Sequence, residues 1–448
     1  MTSPTDLPFE LPFELPFELI DSPLALDLLS DTVARHARPG AVVVLTDSTA
    51  KLLAGPEGRA GDNLTELVVA LLPEAILTVV DASGGQVLLD KETIVAAVSA
   101  TAGAGCLVTL GSGTITDLGK LVSHETGVPL VAVQTAASVN GFSDDLAVVL
   151  RAGAKRTVPA SYPAALLIDH RVLAGAPMAL GRAGLGECVG ALVAPADWLL
   201  AALVGADSTY DPEIVSSYHR SASELMALAV GIGRRQQTEL AGLARLLTVA
   251  GLAMGRAGRT APLSGTEHAI SHLLDMAAGK EHGLHGSQVG VAAVLAACIW
   301  ELAIERLDAN AGGDIPDDAA LKASFFAALT PLDPATIDEC WSDYKVKPAL
   351  WRKTPPDPAA LASLGRQASL WLGAPAEMAA VLAAAGAPTR FSELDPSIDA
   401  ETARWAVANA HLLRSRFTIL DLVVFSGGDL GQVVDDAFEL ATEAGGGV

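Results

Sequence analysis

Cys106-Leu-Val-Thr-Leu110 runs directly into Gly111-Ser-Gly-Thr-Ile-Thr-Asp-Leu-Gly-Lys120, and this junction decides the fold class. The first five residues form a short apolar run without strict alternation, as expected of a strand buried on both faces of a parallel sheet. The glycines that follow let backbone N–H groups approach a phosphate, and the start of the next helix adds partial positive charge. Thr114 and Thr116 supply hydroxyl donors. The spacing is neither G-x-G-x-x-G nor a Walker loop. The segment reads equally as a tight strand-to-helix turn.

Further strands lie on either side. Ala41-Val-Val-Val-Leu-Thr46 sits between Pro39-Gly40 and Asp47-Ser48, and Ala75-Ile-Leu-Thr-Val-Val80 follows a helical stretch over residues 63–72. Pro129-Leu-Val-Ala-Val133 and Ala164-Ala-Leu-Leu-Ile168 continue the series. Strands separated by helix-length gaps predict an open α/β parallel sheet with helices on both faces. Beyond about residue 180 the β-branched runs vanish, and Ala, Leu, Glu and Arg dominate with helical periodicity over residues 221–247. Stretches rich in Pro and Asp at 312–318, 331–334 and 354–358 read as loops. The expected organisation is a mobile N-terminal arm (1–24), a nucleotide-binding α/β domain (25–180) and an all-α domain (181–448). The arm is expected because Leu-Pro-Phe-Glu occurs three times from Leu7, and a proline every fourth residue forbids a helix interior.

Composition narrows the partners. The chain has 52 acidic and 29 basic residues, a net charge of −23. That disfavours nucleic acid or an anionic membrane, both of which call for a basic surface. A few local cations can still hold a small anionic substrate. Cys106, Cys188, Cys298 and Cys340 lack C-x-x-C spacing and read as buried thiols in a reducing compartment. No basic region followed by an apolar run marks a signal peptide. The apolar runs near 198–204 and 289–300 read as too short to span a bilayer, so a cytoplasmic protein is expected.

Four of the nine histidines, His268, His272, His282 and His285, cluster near Ser264-Gly-Thr-Glu-His-Ala-Ile-Ser-His272 and Leu284-His-Gly286. Residues four apart share a helix face, and histidine is the commonest metal ligand. The cluster reads either as part of a metal site or as two satisfied histidines on a helix and two in a loop. Glu187, in Gly184-Leu-Gly-Glu-Cys188, is the candidate third ligand, since an unpaired charge in apolar company is costly. Its alternative is a helix-start residue. Asp47, just past a strand, reads either as a ribose acceptor that disfavours a 2′-phosphate or as a helix cap. Thr135, Ser138 and Asn140, after the strand at 129–133, occupy the place where open α/β sheets bind ligands. Lys155 and Arg156, in a Gly/Ala turn, are candidate phosphate ligands, with exposed surface as the alternative.

Together these motifs resemble the family of iron-containing (group III) alcohol dehydrogenases, glycerol dehydrogenases and 3-dehydroquinate synthases. The matching residues are Gly111 to Lys120, Thr135-Ala-Ala-Ser138, Asn140-Gly141, Gly186-Glu187, Asp197-Trp198, Ser264 to His272, Leu284-His-Gly286 and Arg414-Ser-Arg-Phe-Thr-Ile-Leu-Asp-Leu422. They occur in family order. The resemblance implies a dehydroquinate synthase-like fold with a divalent metal in the cleft between its domains. It implies a metal held by Glu187, His268 and His285, with zinc first and Fe2+ or Ni2+ as alternatives. It makes His272 a substrate neighbour or proton relay, with Lys155 and Asn140 beside the substrate and His282 at the surface. It implies NAD or NADP, NAD slightly favoured by Asp47, held by Gly111, Ser112, Gly113, Thr114, Asp117, Thr135 and Ser138. The implied reaction is reduction of a small ketone phosphate such as dihydroxyacetone phosphate to glycerol 1-phosphate, and its reverse, in a homo-oligomer. Alternatives are an NAD-bound sugar-phosphate cyclase and a non-catalytic nucleotide-binding relative. Three positions depart from the pattern: Glu187 stands where these dehydrogenases carry Asp, Asn140 replaces an Asp, and no Lys follows near Ala191.

Overall fold

The computed structural model describes residues 12–54, 60–80, 87–279, 282–306, 315–353 and 356–448. Contacts divide the chain into two compact units, each with its own core. The first comprises Met1–Leu150, Arg156–Gly184 and Arg220–Gly258, and the second comprises Arg151–Lys155, Leu185–His219 and Arg259–Val448.

The first unit is built on a six-stranded sheet. In chain order its strands are β1 (Glu18–Ser22), β2 (Ala41–Asp47), β5 (Ile76–Val80), β6 (Ala104–Gly111), β7 (Leu130–Gln134) and β10 (Ala165–Asp169). They lie side by side as β1-β10-β7-β6-β2-β5, and every neighbouring pair is parallel. Val44, Val108, Val131 and Leu167 face one apolar cluster, whereas Val43, Leu45, Leu107 and Leu130 face the other. Burial on both faces explains why these strands read as continuous apolar runs. Short pairs β3 (Leu52–Ala54) with β4 (Ala60–Asn63), and β8 (Leu146–Arg151) with β9 (Ala154–Pro159), complete the strands.

Two expectations change here. Residues 1–11 of the expected arm lie outside the described residues. The third Leu-Pro-Phe-Glu copy is ordered, however: Phe17 is buried and Glu18 begins β1, an edge strand on β10. Asp21 fixes its register through His170 Nε2 at 2.6 Å and Arg245 Nε at 2.5 Å. Moreover, the unit boundary does not fall once, near residue 181. Residues 220–258 cluster with the sheet, and their long helix Gln237–Ala257 supplies Arg245 and, through the Thr248 carbonyl, an acceptor for Ser143 Oγ at 2.9 Å. Helical periodicity alone does not say against which core a helix packs.

The second unit is helical. His285–Arg306 lies at its centre, packed against Thr266–Ala278, Pro375–Ala385 and Leu430–Glu443. The residues Val291 to Trp300 of that helix are almost wholly inaccessible. Asp317, Asp333 and Asp357, expected in loops, each cap a helix start by accepting first-turn N–H groups. Three helical stretches, Met178–Leu203, Gln237–Ala257 and His285–Arg306, are long and apolar enough to cross a membrane by length and composition. The apolar runs in the sequence are shorter because polar and charged residues such as Arg182, Glu187, Asp197, Gln288 and Glu301 interrupt them. Most of each stretch is buried inside the protein.

Candidate metal centre and nucleotide loop

Glu187, His268 and His285 belong to the second unit, and each offers a ligand atom within 4.8 Å of the other two. Glu187 lies near the end of helix Met178–Gly190, His268 in the first turn of Thr266–Ala278, and His285 opens His285–Arg306. Glu187 comes close to the helix His285–Arg306 because Gly186 lets the two backbones approach. A Cβ there would stand 1.9 Å from the Gly286 carbonyl oxygen, next to His285. His268 Nε2 lies 3.4 Å from Glu187 Oε2, and His285 Nε2 lies 3.6 Å from Glu187 Oε1.

The far side of each imidazole is held. His268 Nδ1 donates to Glu267 Oε1 at 2.8 Å. Ser271 Oγ donates to Gln288 Oε1 at 2.7 Å, so its lone pair receives His285 Nδ1–H at 2.8 Å. In their neutral forms both rings therefore present an Nε2 lone pair on the Glu187 side, the tautomer a metal requires once it displaces any proton held there. Burial lowers the His268 pKa, but hydrogen bonds to Glu187 and Glu267 outweigh it and raise the value to about 9. A positive charge is thus favoured between these carboxylates. Burial, then the His268 and Lys155 charges, holds His285 well below the usual histidine value. Two nitrogens and one carboxylate oxygen, with pinned second nitrogens, fit a catalytic divalent ion that keeps an open position.

His272 stands beside this centre, stacked on the His285 ring with centroids 5.1 Å apart. Its Nδ1 accepts from Arg414 Nη2 at 2.5 Å. In the neutral ring the proton then sits on Nε2, which makes His272 a donor there and not a metal ligand. Burial, then the Arg414 charge, pushes its pKa well below the usual value. Arg414 also donates to the Lys155 carbonyl at 3.3 Å. The Lys155 ammonium pairs with Asp275, which is 3% exposed. Lys155 sits in β9, after the Ala152-Gly153 turn and not within it. Asp275 Oδ1 also draws His282 Nδ1 to 3.6 Å, so His282 is partly buried and not a surface residue.

Beneath the ligand helix lies a charged layer that the sequence did not reveal. Asp197 Oδ2 accepts Thr266 N–H at 2.6 Å and its Oδ1 accepts Ile419 N–H at 2.8 Å, pinning two helix starts at once. Burial, then the Glu267 charge, raises the Asp197 pKa to about 7. Arg416 donates to the Ser264 carbonyl, to Ser264 Oγ at 2.6 Å and to Thr260 Oγ1 at 2.7 Å. The pairing of Asp197 with Trp198, and of Arg414 with Arg416, was a family signal. Their geometry was not.

The other predicted residues lie in the first unit. Gly111 ends β6, Ser112 occupies the N-cap position of the helix Gly113–Thr126, and no side chain bonds that helix start among the described residues. A Cβ on Gly111 would stand 2.4 Å from Ile115, and one on Gly113 would stand 2.7 Å from Val139. The glycines keep the turn close, and the uncapped N–H groups suit a phosphate. Thr114 is exposed at the turn, whereas Thr135 and Ser138 are buried after β7, with Thr135 N–H bonded to the Gly111 carbonyl at 3.3 Å. Asn140 follows in the same loop. Asp47 ends β2, the strand beside β6. Asp117 is turned inward: its Oδ2 accepts Val148 N–H at 3.0 Å and its Oδ1 pairs with Lys120 Nζ at 3.0 Å. Lys120, wholly buried, also bonds Gly141 O and Asp144 Oδ1, each at 2.6 Å, and so ties down the loop beyond Asn140.

Residues 23–177 match the family model described as iron-containing alcohol dehydrogenase. A glycerol-1-phosphate dehydrogenase (NAD(P)+) of Bacillus licheniformis is 28% identical over 384 residues, covering 85% of this chain and 82% of the relative. That of Thermococcus kodakarensis is 34% identical over 205 residues, covering 46% of this chain and 58% of the relative. In fold, a probable glycerol dehydrogenase from Sinorhizobium meliloti superposes with TM-score 0.61 at 16% identity, covering 96% of this chain and 98% of the other. The glycerol dehydrogenase from Schizosaccharomyces pombe gives 0.56 at 13% identity, covering 97% and 92%. Over residues 23–177 the chain matches the iron-containing alcohol dehydrogenase family, and along most of its length it is similar to a glycerol-1-phosphate dehydrogenase.

Proposed function

We propose that this chain is a metal-dependent, NAD(P)-linked dehydrogenase that interconverts dihydroxyacetone phosphate, or a similar small ketone phosphate, and glycerol 1-phosphate. The observation that carries this reading is the convergence of Glu187, His268 and His285, with the His272 Nε2–H donor stacked alongside. These three side chains would hold a divalent ion, zinc first given two nitrogen donors and one oxygen, with Fe2+ or Ni2+ as alternatives. When bound, the ion supplies Lewis acidity at the substrate oxygen and the nicotinamide supplies or accepts hydride. His272 Nε2–H donates to that oxygen as its charge develops, and Arg414 keeps the proton on this nitrogen. Arg414, beside the Lys155–Asp275 pair, brings positive charge for the substrate phosphate, and Lys155 adds a donor there, an attraction the net acidity of the chain does not provide. In the first unit, the helix start at Gly113 receives the pyrophosphate and Asp47 the adenosine ribose.

Glu187 favours one second reading, because the resemblance places Glu at this position in the cyclase branch. Net cofactor consumption separates the two. Zinc-loaded protein is mixed with dihydroxyacetone phosphate and NADH or NADPH, and the absorbance of the reduced nicotinamide is followed. A dehydrogenase consumes one reduced cofactor per product, and a cyclase consumes none. Absence of turnover across a panel of small ketone phosphates overturns the dehydrogenase reading.

A further inference from the structure

We infer that Lys51 lets this dehydrogenase take NADP(H) as well as NAD(H), by neutralising a carboxylate placed to repel a 2′-phosphate. The inference rests on the dehydrogenase reading and adds a specificity-determining residue to it.

Position comes first. Thr46 pairs in register with Leu110, and its hydroxyl donates to the Leu110 carbonyl at 2.7 Å. Asp47 therefore leaves the sheet beside Gly111, at the carboxyl ends of two adjacent parallel strands. An acidic residue at that place meets the adenosine ribose and, left bare, disfavours a phosphate on its 2′ oxygen.

Asp47 is not bare. Lys51 Nζ lies 3.0 Å from Asp47 Oδ1 and also donates to the Thr49 carbonyl at 2.9 Å. Thr49 N–H donates to the same Asp47 oxygen at 2.7 Å. The chain turns back on itself over five residues, with the ammonium at its centre. The pair is largely shielded, with side-chain exposures of 9% for Lys51 and 14% for Asp47. Burial raises the Asp47 pKa, but hydrogen bonds from Thr49 and Lys51 outweigh it and hold the carboxyl below its usual value. The Asp47 carboxylate stays ionised and lies against the Lys51 ammonium, whose charge offsets its own. Asp47 keeps its second carboxylate oxygen to accept from a ribose hydroxyl, while a doubly charged 2′-phosphate meets an ion pair in place of a bare carboxylate.

The test measures binding, independent of turnover. NADH and NADPH are titrated separately into full-length, metal-loaded protein and followed by nicotinamide fluorescence. Lys51→Ala is expected to weaken NADPH by about tenfold or more while NADH stays within about threefold, and the selective loss shrinks at high salt, which screens the unmasked carboxylate. Lys51→Arg is expected to keep both affinities. Asp47→Ala, which leaves the cation alone, is expected to weaken NADH and to leave NADPH unchanged or tighter. Equal weakening of both cofactors by Lys51→Ala, as a collapsed turn would give, overturns the inference. So does Asp47→Ala weakening NADPH as much as NADH. Wild-type protein that binds neither cofactor overturns the dehydrogenase reading itself, and this inference with it.

Discussion

Glu267 Oε1 lies 2.8 Å from His268 Nδ1, although the two are adjacent on one helix. Successive helical side chains point about 100° apart, so sequence spacing does not suggest this contact. It forms because Glu267 occupies the first turn and folds back to accept Gly265 N–H, also at 2.8 Å. The carboxylate thus accepts from the helix start and fixes the tautomer of His268, the proposed ligand, in one move. Glu267→Ala is expected to weaken metal binding by about 10–100-fold, with Glu267→Gln intermediate. Competition against a chromophoric chelator measures this, and unchanged affinity in Glu267→Ala contradicts the assigned role.

His272 differs from its neighbours in what it touches. Because Arg414 occupies its Nδ1, His272→Ala is expected to keep the full metal content and lose about 10²–10⁴-fold in kcat, the range for a positioned proton donor. Metal analysis and turnover on the same sample separate the two effects. Loss of the metal would make His272 a ligand and contradict the tautomer argument.

A buried ion pair supports the layer behind the site. Lys347 Nζ lies 2.8 Å from Asp421 Oδ1 and 2.5 Å from the His411 carbonyl, and both side chains are almost inaccessible. Lys347→Met strands the Asp421 charge and is expected to cost about 3–5 kcal/mol in denaturant unfolding. Adding Asp421→Asn is expected to recover part of that loss. If the double variant is less stable than Lys347→Met by the full cost of losing Asp421, the stranded-charge account fails.

Acid should act on His411. Burial, then the Lys347 charge, pushes its pKa from 6.5 to about 3. The folded state therefore binds this proton less readily than the unfolded chain. The contribution is fully present above pH 6.5 and is lost progressively as pH falls toward 3. At 1.4 kcal/mol per pKa unit, His411 accounts for about 2 kcal/mol of lost stability between pH 6.5 and 5. His411→Leu is expected to flatten the unfolding free energy over that interval by this amount. An identical pH slope in variant and wild type contradicts a buried neutral imidazole.

The apolar runs that became β2, β6, β7 and β10 were legible because a strand buried on both faces writes its environment into consecutive residues, whereas β5 is an edge strand whose apolar Ile76, Leu77 and Val79 are exposed. Edge strand β1 was not legible, because its place depends on Asp21 finding His170 and Arg245, 149 and 224 residues away. The hairpin β8–β9 was missed for a related reason: its half-buried residues carry no clear alternation. At the site, residue chemistry singled out Glu187 and the histidines, and the structure places three of these residues within ligand distance. Glu267, Ser271 and Gln288 were given no role, and Asp197 was quoted only within the resemblance, because acidic, hydroxyl and amide residues near a helix start are ordinary caps until their partners are known. Asp117 was read as facing the cofactor, yet its carboxylate is spent on Lys120 and Val148.

The central claim is that turnover depends on an ion held by Glu187, His268 and His285. The most direct measurement is a titration of chelator-stripped protein with Zn2+ in the presence of dihydroxyacetone phosphate and NADPH, with occupancy and rate read together. The rate is expected to rise in proportion to occupancy and to level off at one ion per chain, with Glu187→Ala neither binding nor turning over. A rate independent of occupancy, or a Glu187→Ala protein as active as wild type, would contradict the account.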